Sequence, residues 1–572
     1  MRLSTTSDVW WKNAVIYCLD VETYADGNGD GIGDFRGLAQ HVDHLDRLGV
    51  TCIWLMPFFP TPDRDDGYDI CDFYGIDPRL GTLGDFVEFM RVAADRGIRV
   101  IADLVVNHTS DEHPWFKEAR SSRDSRYRDW YIWSDKPEPD DPKGVVFPDA
   151  EKSLWEFDEG SGQYYYHRFY RFQPDLNTAN PEVRDEIARI LGFWMELGLS
   201  GFRVDAVPFL VEDVTGKPKE VDGKLPDVHA FLRETRAFMK RRNGGAILLG
   251  EVNLPYPDLL KYFGNDLGDE VTMCFDFIGM QRMYLSLARQ DAGPLAEALR
   301  ERPMPPKDCH WATFVRNHDE LTLDKLTDAE RQEVFDALGP DKDMQLYGRG
   351  LRRRLPPMLD GDMRQIKMVY SLLFSLPGTP VLFYGEEIGM GEDLRAEGRQ
   401  AVRTPMQWTP HRNAGFSTAD SLPIRLVEGR FGPENVNVSA QRRDPDSLLM
   451  WITMLVERYR ECPELAWGDY QVLDTGTPAV LAHRADIDGE TVMVLHNFTD
   501  QDVTCEVLIE GLDQNDVLTD LLIEGTVEVP PDGRTTFDLA PYGCRWLRAS
   551  APEEAPADSA DIEDSESPET GT

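Results

Sequence analysis

Three carboxylic acids stand at the ends of short apolar runs: Asp205 in Gly201-Phe202-Arg203-Val204-Asp205, Glu251 in Ala246-Ile247-Leu248-Leu249-Gly250-Glu251, and Asp319 in Phe314-Val315-Arg316-Asn317-His318-Asp319. In the first run Arg203 precedes Asp205 by two positions, and on a strand such residues share a face. A guanidinium beside a carboxylate keeps it ionised, and an ionised carboxylate can act as a nucleophile. One Arg-x-Asp is more often a structural ion pair. Three strand-ending acids read instead as an active site.

The apolar runs indicate what positions these acids. Strands are expected over 14–21, 52–57 and 99–107 and near 201, 246, 271, 311 and 379, with helical material between them. After Asp34, for example, Phe35, Leu38, Val42, Leu45 and Leu48 fall on one helix face. Continuous apolar strands alternating with helices predict a parallel α/β sheet. Eight of them predict a (β/α)8 TIM barrel, whose active site lies at the C-terminal strand ends. Asp69, Asn107, Asp205, Glu251 and Asp319 all fall at or just after such ends.

The barrel is expected to use 1–107 and 174–464. A Trp-, Tyr- and Asp-rich stretch over 108–173 reads as a domain inserted after the third strand. A charged stretch over 320–360, containing Arg352, Arg353 and Arg354, reads as a second insertion after the seventh. Short alternating runs then predict a C-terminal antiparallel β-sandwich over 465–549. The last stretch, 550–572, is acidic and Ser/Pro-rich and is expected to be a disordered tail.

A net charge of −42 argues against nucleic acid or an anionic membrane as partner, because both need basic surface. The eight cysteines are scattered without a C-x-x-C, so reduced thiols are expected and neither a disulfide framework nor a zinc site. No run reaches the length of a membrane span, and the N-terminal residues lack an apolar signal core. A cytoplasmic location is expected. A homo-oligomer is compatible with the composition.

The stretch Asp26-Gly27-Asn28-Gly29-Asp30-Gly31-Ile32-Gly33-Asp34 places oxygen donors at alternate positions with glycines between them, the spacing of a calcium loop. No Glu stands at the twelfth position, so it is not an EF-hand loop. A structural Ca2+, or Mg2+, is the expected cofactor, with no organic one.

Together these residues resemble the α-amylase superfamily, glycoside hydrolase family 13, from about Trp10 to Arg548. The matching motifs are Asp103-Leu104-Val105-Val106-Asn107-His108, Gly201-Phe202-Arg203-Val204-Asp205, Gly250-Glu251 and Asn317-His318-Asp319, in order. Gln173-Pro174-Asp175-Leu176-Asn177 is similar to the oligo-1,6-glucosidase and trehalose synthase branch. Arg316 to Leu323, Arg352 to Leu355, Glu387 to Met390, Val402 to Trp408 and Arg412 to Ser417 look most like trehalose synthases, and 320–360 resembles their lid.

The resemblance implies Asp205 as nucleophile, Glu251 as acid and base, and Asp319 as the acid that binds sugar hydroxyls and strains the ring. It implies Arg203, His108, His318 and Gln173 around the sugar, and an Asp69–Arg403 pair closing the pocket on a terminal glucose. For the first cation it implies Asp26, Asn28, Asp30, the Ile32 carbonyl and Asp34. For a second it implies Asn107, Asp175, the Phe209 and Leu210 carbonyls and Glu212, where a cation-free hydrogen-bond cluster is the alternative. The expected substrates are small α-glucosides such as maltose and trehalose, interconverted through a covalent β-glucosyl-Asp205. An exo-acting α-glucosidase or glucosyltransferase is the alternative, and a non-catalytic carbohydrate-binding member a distant one. Two stretches depart from the family: Tyr17-Cys18-Leu19-Asp20-Val21-Glu22 has an acid where an Arg is usual, and Glu397-Gly398-Arg399-Gln400-Ala401 replaces Gly-Asp-Arg-Asp-Gly.

Overall fold

A computed structural model describes residues 9–137, 144–211, 229–511 and 517–550. Eight parallel strands close into a barrel: β1 (Ile16–Leu19), β2 (Cys52–Leu55), β3 (Arg99–Leu104), β4 (Gly201–Val204), β5 (Ile247–Gly250), β6 (Met273–Phe275), β7 (His310–Phe314) and β8 (Thr379–Phe383). Each pairs with its sequence neighbour, and β8 returns to β1 with Val381 opposite Ile16. Nearly every strand residue is buried, as both faces of a helix-covered barrel require. This is the (β/α)8 architecture that the alternation of apolar runs predicts.

The helix Phe35–Leu48 shows how local sequence sets the elements. Asp34 caps its first turn by accepting the Gly37 N–H, Gly49 ends it with φ 85°, and Phe35, Leu38, Val42, Leu45 and Leu48 are its buried apolar face. Gly201 opens β4 for a different reason: a Cβ there would stand 2.3 Å from the Ile247 carbonyl oxygen. Only glycine lets β4 and β5 approach closely enough to bring Asp205 beside Glu251.

The first strand is shorter than expected. It ends at Leu19 because Asp20 accepts the Glu22 N–H and caps a helical turn over Val21–Tyr24. Likewise β3 ends at Leu104, and the backbone beyond it turns to the 108–173 segment, with the Asn107 carbonyl accepting the Leu176 N–H at 2.8 Å.

That segment carries the helix Pro114–Ser121 and a three-stranded antiparallel sheet of Trp133–Ser134, Gln163–Tyr166 and Trp155–Asp158. Phe116, Trp133 and Tyr165 pack at its centre. The 320–360 segment folds as a helix, Asp328–Leu338, beside another three-stranded sheet. Beyond Trp467 lie a six-stranded and a two-stranded antiparallel sheet, with Leu495, Leu547, Val507 and Phe537 in one core between them. Residues 551–572, on which the expected tail falls, are outside the described part. All eight cysteines are unpaired. No helix among the described residues is long and apolar enough to cross a membrane.

Candidate active site

Strand register builds the centre of the site. Asp103 of β3 lies opposite Arg203 of β4, and Arg203 opposite Leu249 of β5. Arg203 is fully buried, and its guanidinium holds three carboxylates: Nη1 donates to Asp103 at 2.7 Å and Asp205 at 2.6 Å, and Nη2 pairs with Glu251 at 2.8 Å. One planar fork thus fixes two of the three predicted catalytic acids on a common scaffold. Asp103 is locked from behind by Trp54 Nε1 at 3.1 Å and the Tyr68 hydroxyl at 3.2 Å.

The chain kinks directly after Asp205. Ala206 has φ 46°, a left-handed conformation that costs a non-glycine residue about 1–2 kcal/mol. The kink aims the Ala206 N–H at Glu251 Oε2, 3.1 Å away, and leaves both carboxyls lining one cavity. The strain is compensated by the contacts it creates.

Burial and mutual repulsion set the proton inventory. Burial lifts Asp205 to about 6 against the pull of Arg203, and lifts Glu251 to about 7, with the charge of Asp205 adding to it. Burial would also raise Asp319, but Arg399, His318 and Arg403 outweigh it and hold this acid well below the usual carboxylate range. The environments therefore set three similar acids apart, with Glu251 holding its proton to the highest pH, Asp319 ionised and Asp205 between them, the separation that acid–base chemistry needs.

Asp319 receives Arg399 Nη1 at 2.8 Å and Arg403 Nη2 at 3.1 Å, and His318 Nε2 lies 3.3 Å away. His318 also meets the Tyr68 hydroxyl at 2.7 Å. His108 Nε2 donates to the Tyr68 carbonyl at 3.1 Å, and burial lowers this imidazole to about 4, so it is neutral. Both histidines border Tyr68, which the sequence motifs do not mark. Gln173 sits behind the cavity wall and donates to Asp65 at 2.8 Å.

The expected Asp69–Arg403 pair is not formed. Asp69 is tied up locally by the Thr61 hydroxyl at 2.8 Å, the Asp65 N–H at 3.2 Å and Arg64 Nε at 3.4 Å. Arg403 instead bonds Asp66, Asp319 and the His318 carbonyl. The turn over 61–69 brings Asp66, three residues before Asp69, to Arg403, and Asp65, not Asp69, lines the cavity.

The cavity measures about 430 Å³, within the usual range of roughly 300–1,000 Å³ for small-molecule sites. Asp205, Glu251, Asp319, His108, Phe169 and Phe209 line it together with Arg399, Arg349 and Phe147. The last three lie on three separate loops. Arg349 donates to the Val146 carbonyl at 3.0 Å and pairs with Glu320 at 3.2 Å. Arg399 Nη2 pairs with Glu320 at 2.9 Å, and its guanidinium lies 5.1 Å from the Phe147 ring centre and 5.9 Å from that of Tyr347. Arg399 stands in the departing stretch from Glu397 to Ala401, so that stretch reaches the site.

At the first cation loop the side chains of Asp26, Asn28 and Asp30 each accept backbone N–H groups of the next residues, and Asp34 accepts those of Gly27, Asn28 and Gly37. Asp26, Asp30 and Asp34 form no ion pair among the described residues. An all-oxygen donor set with uncompensated negative charge fits a hard cation. The one tight three-acid group among the described residues is elsewhere, at Glu22, Asp63 and Asp66, where Arg79 and Arg403 supply the counter-charge.

At the second expected site, Asp175 accepts the Arg168 N–H at 2.9 Å and interacts with Asn107, and the Leu210 carbonyl accepts the Thr178 hydroxyl at 2.8 Å. The Phe209 ring faces Arg168. Glu212 lies outside the described residues. Asn107 and Asp175 are thus joined to each other, while the Leu210 carbonyl is bonded outside the set.

The catalytic-domain model of the α-amylase family matches residues 19–337 and 352–468, and a sucrose hydrolase-like C-terminal domain matches 489–548. Among curated proteins, a trehalose synthase of Pimelobacter is 42% identical over 491 residues, covering 84% of this chain and 85% of its own. The trehalose synthase/amylase TreS of Mycobacterium tuberculosis is 42% identical over 505 residues, covering 86% of this chain and 82% of its own. A crystal structure of the trehalulose synthase MutB aligns with TM-score 0.74 at 27% identity, covering 94% of this chain and all of that one. With the motifs, the closed barrel and the family match in agreement, the chain is an enzyme of the α-amylase family, glycoside hydrolase family 13.

Proposed function

We propose that this enzyme interconverts maltose and trehalose through a β-glucosyl ester on Asp205. The observation that carries the reading is the closure over the cavity, where Arg349, Arg399 and Glu320 link the 320–360 segment to the loop at 146–147 and the loop at 398–402. The names of the similar trehalose synthases agree with it.

In the first half-reaction the ionised Asp205 carboxylate attacks C1 of the non-reducing glucose of maltose. The bond from C1 to the bridging oxygen breaks, and Glu251 gives its proton to that oxygen, releasing glucose. Arg203 keeps the attacking carboxylate charged, and Asp319 bonds ring hydroxyls most strongly as positive charge develops at C1. The freed glucose is retained beneath the Arg399–Arg349 closure and turns. Glu251, now ionised, takes the proton from its C1 hydroxyl. That oxygen attacks C1 of the ester, Asp205 leaves, and the 1,1-linked disaccharide forms. Water is neither consumed nor released. An open site would admit water at the second step and hydrolyse the ester.

Incubation with maltose and, separately, with trehalose, followed by proton NMR, tests this. Each disaccharide should yield the other with little free glucose. Glucose as the main product from maltose, with trehalose inert, would identify an α-glucosidase instead.

The active form needs Asp205 ionised and Glu251 protonated. Acid titrates Asp205 below about pH 6, and base strips Glu251 above about pH 7. The two limbs belong to the pair as a unit. A bell-shaped kcat/KM profile with its maximum near pH 6–7 is expected, and a profile still rising at pH 9 would contradict this assignment of roles.

We also propose a structural cation in the 26–34 loop, held by Asp26, Asn28, Asp30, the Ile32 carbonyl and Asp34. Bound there, it would neutralise the loop carboxylates and fix the approach to the Phe35–Leu48 helix. A chelator should lower Tm by about 3 °C, with added Ca2+ restoring it. Asp30, whose side chain is exposed, is the residue to change, and Asp30→Ala should abolish the chelator effect. Identical melting with and without chelator would remove the cation from this loop.

A further inference from the structure

A second cavity of about 420 Å³ opens at the opposite end of the barrel. Its walls are the start of β7 at His310 and Trp311, the loop before it, and the junction from Trp467 to Val472 that leads into the C-terminal sheet. All eight strands run parallel, so the start of β7 lies a strand length from the end that carries Asp319. The cavity is separate from the catalytic one.

Its chemistry is unlike the rest of the molecule. In a chain of net charge −42, the lining includes Lys12, Arg300, Arg302 and Lys307 and no acid. Arg302 is committed to Asp276 at 2.9 Å and the Pro377 carbonyl at 2.7 Å. Lys12, Arg300 and Lys307 form no ion pair among the described residues. Burial lowers the Lys12 pKa, and from outside the lining the Asp308 carboxylate acts on this ammonium more strongly than Lys307 repels it.

One further observation points to a ligand. Trp467 is 38% exposed, fixed by a 2.7 Å bond from Nε1 to Asn13 Oδ1, with the Lys12 ammonium 4.8 Å from its ring centre. The indole is thus a partly exposed aromatic surface fixed beside the Lys12 ammonium.

We propose that this cavity binds an organic phosphate, with the phosphate on Lys12 and Lys307 and the attached ring against Trp467. Two ammonium groups of one lining, neither in an ion pair among the described residues, match a dianion better than a carboxylate. The indole face accepts either the C–H face of a pyranose or a nucleobase.

The test is calorimetric titration of the full chain with glucose 6-phosphate, adenosine monophosphate and inorganic phosphate. At least one organic phosphate should bind tenfold or more tightly than inorganic phosphate, and which one it is distinguishes a sugar from a nucleotide source. Lys307→Ala, at an exposed position, and Trp467→Ala should each weaken that binding about tenfold while maltose turnover stays unchanged; melting curves check that both variants fold. Absence of binding by both organic phosphates, equal binding of inorganic phosphate, or binding that neither variant weakens would overturn the proposal.

Discussion

Asp205→Ala is expected to lower kcat on maltose by about 10⁴-fold or more, roughly 5 kcal/mol of transition-state stabilisation. The size follows from the proposed role: without a carboxylate 2.6 Å from Arg203 Nη1, the proposed ester cannot form and the proposed double displacement has no first step. Asp205→Asn should be almost as inactive while keeping the shape of the Arg203 cluster, which separates lost chemistry from lost folding. Glu251→Gln divides the roles further. It should lose about 10²–10⁴-fold on maltose, whose leaving oxygen needs a proton. It should lose far less on α-glucosyl fluoride, because fluoride departs without one. Equal losses on both substrates would show that Glu251 is not the acid.

Arg399→Ala is expected to raise the ratio of free glucose to isomerised product at least tenfold. Arg399 bridges Asp319 and Glu320 and lies across the rings of Phe147 and Tyr347, so its removal opens the closure on the side where Arg349 alone remains. Turnover should fall as well, because Asp319 loses one of its two arginines. The product ratio is the readout that matters, since a merely structural loss would slow both outcomes together. Arg399→Lys should recover little, because an ammonium cannot reproduce a fork that spans two carboxylates. An unchanged ratio in both variants would leave retention of glucose to some other element.

Much of this was readable in the chain itself. Eight apolar runs at helical intervals specify a parallel barrel because each strand buries both faces, and that demand is written in consecutive residues. Gly201, Arg203, Asp205, Glu251 and Asp319 were legible for the same reason: the barrel puts strand ends at one rim, so residues far apart in sequence but alike in position must meet. What the chain could not show is which partner each charge chooses. Asp65, Asp66 and Asp69 are similar acids on one turn, and only the path of that turn gives Asp66 to Arg403 and leaves Asp69 with Arg64. Asp103 opens one of the matching motifs, but only register sets it opposite Arg203. The closure over the cavity depends on Arg349, Glu320, Arg399 and Phe147, drawn from separate loops whose side-chain contacts follow from packing and not from local periodicity. Sequence determined the barrel and its acids; tertiary structure decided their partners, their protonation and how the site closes, because those depend on distances between segments that no local pattern encodes.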